Sequence, residues 1–202
     1  MNKHVSNYIS LTKALAKENN VEVRFGRGKR VNCDGKRTNG YFDSNVLITA
    51  TGKPIEEWIG TFVHESSHMD QYIEDSKYWK AATDENYTLL EEFLAGDDVG
   101  ISPELFAAVD TIVELEADCE RRTYKKIQEH NLPISLDDYA RRGNAYLFFH
   151  KVMLLEKKWY VTAPYEIKKI FNQMPTTIGA PSSYRMNKVK VDLDLFKGCF
   201  RK

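Results

Sequence analysis

Apolar residues recur along this chain at two different periods, and the change falls near Pro54. Before it, Ile9, Leu11, Leu15 and Ala16 stand at roughly helical spacing and predict a first helix over about 6–18, ended by Asn19 and Asn20. VEVRF then alternates as a short strand, and GRGKRVNCDGKRTNG carries the punctuation of a hairpin or turn-rich loop. The β-branched run from Val46 to Thr51, closed by Gly52, predicts a further strand.

From Pro54 onward the period is helical. PIEEWIGTFVHESSHMDQYIED has no breaker except Gly60, and Pro54 suits a first helical position. Thr83 or Asp84 starts DENYTLLEEFLA, which Gly96 stops. Ser102-Pro103-Glu104 joins an N-cap to a proline just inside it, opening a long helix that reaches about His130. Ser135 and Asp138 resemble a capping box for a helix running through Lys157. A weaker helix, APYEIKKIFNQM, is followed by the loop PTTIGAPSSY and the alternating KVKVDLDLF, which reads as a strand added to the N-terminal sheet or as an exposed arm. The expected class is α+β, mainly helical with a small N-terminal β-sheet.

A length of 202 residues fits a single domain over 1–202. Lys plus Arg and Asp plus Glu are both 29, so no long-range field of one sign draws nucleic acid or an anionic membrane. Arg24, Arg27, Lys29, Arg30, Lys36 and Arg37 stand against one acid, Asp34, in the hairpin region 24–37. With zero net charge this is read as a solvated turn rather than a nucleic-acid contact. Charges break the apolar residues of the N-terminus, and YLFFHKVMLL is too short and too charged to span a bilayer, so a cytoplasmic protein without membrane association is expected. Cys33, Cys119 and Cys199 form no C-x-x-C pair and are expected to be reduced thiols.

The candidate chemistry lies in TFVHESSHMDQ, where His64, Glu65 and His68 have the spacing H-E-x-x-H. Residues four apart share a helix face, so two imidazoles can converge on one zinc at about 2.0–2.1 Å. Glu65, turned by about 100°, can instead reach a water on that metal and act as general base. The apolar stripe of the same helix is Ile55, Trp58, Ile59, Phe62, Met69 and Tyr72, with Ser66 a gap in it. His64 and His68 fall with Glu57, Thr61 and Gln71 on roughly the opposite side, which does not suit core histidines.

A catalytic zinc takes a third protein ligand and leaves a fourth position for water. The long helix after Ser102 offers TIVELEADCERR, in which Glu114 and Asp118 share a face with Asp110 and Arg122, apart from the apolar Leu105, Val109, Ile112 and Val113. One carboxylate could ligate while the other orients a ligand histidine. The alternative is a solvated acidic face paired i,i+4 with Arg122. Tyr146 and His150, four apart in NAYLFFHKV, are the candidates for stabilising an oxyanion, with an ordinary core role as their alternative.

H-E-x-x-H on one helix followed by E-x-x-x-D on a later one resembles the gluzincin metallopeptidases. The form Glu114-Leu115-Glu116-Ala117-Asp118 looks most like ImmA/IrrE-type and minimal gluzincin domains. The similarity covers about 40–126, leaving 135–202 as a helical and tail extension. It implies a zincin-like fold with the small sheet over the H-E-x-x-H helix, and one zinc per chain held by His64, His68 and Glu114. It also implies Glu65 as general base and Asp118 behind the ligands. The strand Val46, Leu47, Ile48, Thr49 and Ala50 would bind an extended substrate by β-augmentation. The implied activity is that of a zinc-dependent peptidase, a hydrolase acting on a protein or peptide. The rival is a non-catalytic regulatory protein of zincin fold with a structural or vestigial metal site. Two departures stand out: serines at 66 and 67 where such helices carry bulkier residues, and a long stretch from Met69 to Pro103, expected to restrict the cleft and narrow the substrate range.

Overall fold

In a computed structural model the chain is described over residues 2–33, 35–96 and 100–201. Asp34 of the basic hairpin, and Asp97 and Asp98 after Gly96, lie outside the described residues. The chain is α+β and mostly helical, with its strands confined to the N-terminal part. It divides into two compact units, Met1–Ser76 with Arg122–Ser135, and Lys77–Arg121 with Leu136–Lys202.

The first unit opens with helix α1, Lys3–Glu18, which starts earlier than its apolar pattern predicts because the Asn2 side chain accepts the His4 N–H. Its buried face is Val5, Tyr8, Ile9, Thr12 and Ala16; Leu11 and Leu15 are 58% and 37% exposed. The helical period was legible, but its phase is rotated.

Five short strands follow: β1 Glu22–Gly26, β2 Val31–Cys33, β3 Lys36–Thr38, β4 Gly40–Asp43 and β5 Val46–Ala50. They form a three-stranded sheet in the order β1-β5-β4 and a separate β2–β3 ladder. β1 runs parallel to β5 from Glu22↔Val46 to Gly26↔Ala50, and β4 runs antiparallel from Gly40↔Thr49 to Asp43↔Val46. Glycine and aspartate at the ends of β4 hide it from propensity; the pairing across Ser44 and Asn45 makes it a strand.

Helix α2, Ile55–Ile73, carries H-E-x-x-H; Pro54 is its N-cap, one place before the predicted first helical position. β4 and β5 pack against α2. Phe62, fully buried, lies with its ring centre 6.0 Å from that of Tyr8 and 5.3 Å from that of Phe25. This aromatic contact joins α1, the sheet and α2 into one core.

The second unit holds α3 Lys77–Ala81, α4 Asp84–Ala95, most of α5 Pro103–Glu129, α6 Leu136–Glu156, α7 Lys168–Phe171 and α8 Leu193–Phe196. Local signals decide the ends of α4 and α5. A reciprocal Thr83–Asn86 capping box opens α4, Gly96 at φ 94° closes it, and the Ser102 hydroxyl accepts the Leu105 N–H at the start of α5. Leu105, Val109, Ile112 and Val113 of α5 are buried with Leu147, Val152 and Met153 of α6, as the separate apolar face predicts.

Beyond α6 the pattern misleads. APYEIKKIFNQM is broken into a 3-10 turn at Pro164–Glu166 and the single turn of α7, with Ile167 extended between them. KVKVDLDLF is neither a strand nor an arm. It runs irregularly into α8, where the Asp192 side chain accepts the Asp194 N–H, and Val189, Leu195 and Phe196 enter the core. Side chains of α6 hold carbonyls of the irregular chain between Asn172 and Val189. Arg141 donates to the Asn172 and Met174 carbonyls, the Asn144 amide to those of Pro175 and Thr177, and Lys151 to those of Met186 and Val189.

Candidate metal centre

The centre is built from the polar residues of α2, of which Glu65, Ser66, Ser67 and Gln71 are buried. Ser66 and Ser67 have no exposure. The Tyr8 and Ser66 hydroxyls bond at 2.5 Å, and both serines donate to the Val63 carbonyl. Thr123 of α5 donates to Ser67 at 2.9 Å. Lys126, one turn on, donates to the Ser66 carbonyl and hydroxyl and forms an ion pair with Asp70 at 2.7 Å. Arg122 pairs with Glu74 at 2.7 Å, where the sequence suggested an i,i+4 partner on its own helix. The paired serines thus replace bulk with hydrogen bonding, and they define which face of α5 meets α2 within the first unit.

His64 and His68 are half-buried, their ring centres 4.9 Å apart and their planes nearly perpendicular at 82°. His68 Nδ1 lies 2.9 Å from Oε1 of Gln71, which is fully buried. An amide oxygen only accepts, so with this amide orientation Nδ1 carries the proton and Nε2 presents its lone pair. Glu65 is 8% exposed. Gly40 of β4 makes room for it: a Cβ there would stand 3.2 Å from Glu65 Cγ and 2.8 Å from Thr61 Cγ2.

Cys119 is buried on α5, one turn before Thr123. Donor atoms of His64, His68 and Cys119 all lie within 4.8 Å of one another, a group that could hold a metal ion. Donors around one tetrahedral zinc stand about 3.3–3.7 Å apart, so two imidazoles and a thiol fit this metal in kind, with modest side-chain closure.

Glu114 is engaged elsewhere. Arg185 donates to it through Nε at 2.7 Å and Nη2 at 3.2 Å, while the Met186 N–H donates to Asp110, one turn earlier on α5. Asp118 is half-buried on α5. Tyr146 and His150 lie in the second unit, with ring centres 4.8 Å apart. His150 is 1% exposed and its Nδ1 is 3.1 Å from the Tyr146 carbonyl, an arrangement that suits the core alternative. Burial pushes its imidazole below the usual range, against the opposing charge of Glu116. Burial first, and Glu116 second, push the Tyr146 phenol well above its ordinary value. Tyr87 is shifted upward in the same way, with Glu116, Asp84 and Cys119 adding to burial.

The strand Val46–Ala50 requires a correction. β5 is the middle strand, paired with β1 on one side and β4 on the other, so it has no edge on which to receive a substrate main chain. In the basic hairpin Arg24 pairs with Glu22, and Arg27, Lys29, Arg30 and Arg37 are exposed, as in a solvated turn. None of Cys33, Cys119 and Cys199 forms a disulfide. Among the described residues no helix is long and apolar enough to cross a membrane.

Sequence reasoning missed Cys119, Gln71 and Arg185. Cys119 had a usable signal, since it stands four before Thr123 and seven before Lys126 on one face. Arg185 had none, because its pairing with Glu114 spans 71 positions. Comparison of the chain with protein-family models, with curated protein sequences and with solved structures gave no match.

Proposed function

We propose that this chain is a zinc-dependent metallopeptidase of zincin-like fold, hydrolysing peptide bonds of a protein or peptide substrate and holding one zinc per chain. The observation that carries the reading is the pair of His64 and His68 rings, 4.9 Å apart, on the helix that also carries the buried Glu65. A purely structural site needs ligands but no base, and Glu65 gives the same helix both.

The zinc would supply Lewis acidity, lowering the pKa of a water and polarising the scissile carbonyl. His64 and His68 would hold the ion, and Gln71 keeps the His68 ring in the tautomer that presents Nε2. Glu65 accepts the proton of the attacking water and returns it to the leaving amine. Its walls, β4 at Gly40 and the body of α2, limit solvation and hold the carboxylate in place. The insertion between Met69 and Pro103, which carries α3 and α4, is the element assigned to narrowing the substrate range.

The test is Glu65→Gln, assayed on a fluorogenic peptide library with a chelator control. Metal content should stay at the wild-type level while hydrolysis falls by about 100-fold or more, the usual worth of a general base. Equal hydrolysis in the two proteins removes Glu65 from that role.

A further inference from the structure

We propose that Phe42 and Tyr72 form the subsite that selects the substrate, taking an apolar or aromatic side chain one or two residues from the bond that is cut. The inference rests on the peptidase reading above and names the substrate class of that same site. Three observations within the first unit converge on it.

The first is helical phase. At about 100° per residue, Tyr72 stands about 40° from His68 and about 20° from Glu65, whereas Phe62 of the apolar stripe stands about 120° from His68. Tyr72 therefore continues the row of His64 and His68 by one more turn of α2. The second is the course of β4, an outer strand of its sheet. Gly40 and Phe42 are two apart and share one face of that strand. A Cβ at Gly40 would meet Thr61 and Glu65 of α2, and the Phe42 ring lies 5.8 Å from that of Tyr72, tilted by 52°. β4 thus runs beside α2 from Glu65 to Tyr72, and its aromatic residue flanks the histidine row. The third is exposure. Phe62 and Met69 of α2 are fully buried, while Phe42 and Tyr72 are both half-buried, so apolar surface remains on them for a ligand to cover.

Aromatic rings recognise a partner by apolar contact and by edge or offset stacking, so this pair favours phenylalanine, tyrosine or leucine in the substrate. Aspartate or lysine would lose water there, and neither ring supplies a countercharge. One turn of α2 rises about 5.4 Å and an extended peptide advances about 3.3 Å per residue, which sets the subsite one or two residues from the position facing His68.

The experiment measures, by titration calorimetry, the binding of blocked alanine pentapeptides that differ only in the central residue. The protein is the full-length chain carrying Glu65→Gln, so that bound peptide is not cut. Peptides with central phenylalanine or leucine should bind about 10-fold more tightly than those with aspartate, lysine or glycine. Adding Phe42→Ala should reduce that preference to about 3-fold or less and leave the glycine peptide unchanged. Tyr72→Ala makes the same test from the helix side. The same preference in parent and variants overturns the subsite, and so does its absence in the parent, a reading that needs no further variant to fold. Binding of none of the peptides also overturns it. A preference that depends on Phe42, together with no hydrolysis by wild type in the chelator-controlled assay, keeps the subsite and overturns the peptidase reading.

Discussion

Gln71 shows how much of a candidate metal site escapes a five-letter motif. His64, Glu65 and His68 are legible because their geometry is local: i,i+4 on any helix places two imidazoles together. Gln71 is equally local, three residues from His68, but glutamine carries no metal chemistry and attracts attention only once its oxygen is seen 2.9 Å from Nδ1. Its burial leaves it little freedom to turn away. We predict that Gln71→Leu weakens zinc binding by roughly 10–100-fold, while Gln71→Glu, which restores an acceptor, recovers it. Competition against a chromophoric chelator measures this directly; unchanged affinity in the leucine variant removes Gln71 from the site.

At the scale of elements, what was legible has a local cause. Thr83, Gly96 and Ser102 mark helix ends by their own hydrogen bonds or backbone angles, and the apolar face of α5 follows its own period. What was not legible depends on distant partners. β4 exists by pairing with β5, which in turn leaves β5 without an edge for substrate. The alternation of KVKVDLDLF suggests a strand, yet Lys151 of α6 takes the Val189 carbonyl within it, as Arg141 and Asn144 take those of Met174 and Pro175 earlier in the chain. Asn144 is the most committed of the three, since its amide donates to the tail and its oxygen accepts the Tyr184 hydroxyl at 2.6 Å. Asn144→Leu should therefore lower unfolding free energy by about 3 kcal/mol, as several buried groups lose partners together. Urea denaturation checks it, and a loss under about 0.5 kcal/mol, the range of an ordinary surface change, would show that the tail does not depend on this residue.

For the whole molecule, the α+β class and the predominance of helix followed from the change of period near Pro54. The division into two compact units did not, because α5 runs unbroken from Pro103 to Glu129 and contributes to both. The last turns of that helix are clamped to Ser66, Ser67 and Asp70 within the first unit. With no matching family to lean on, the functional reading stands on that geometry. Its central claim is that this chain is a metalloprotein through α2. The most direct test is the zinc content of extensively dialysed protein, wild type beside His64→Ala/His68→Ala, with both shown to be folded. The geometry predicts close to one zinc per chain in the wild type and none in the double variant; equal zinc in the two proteins, or none in the wild type, would contradict it.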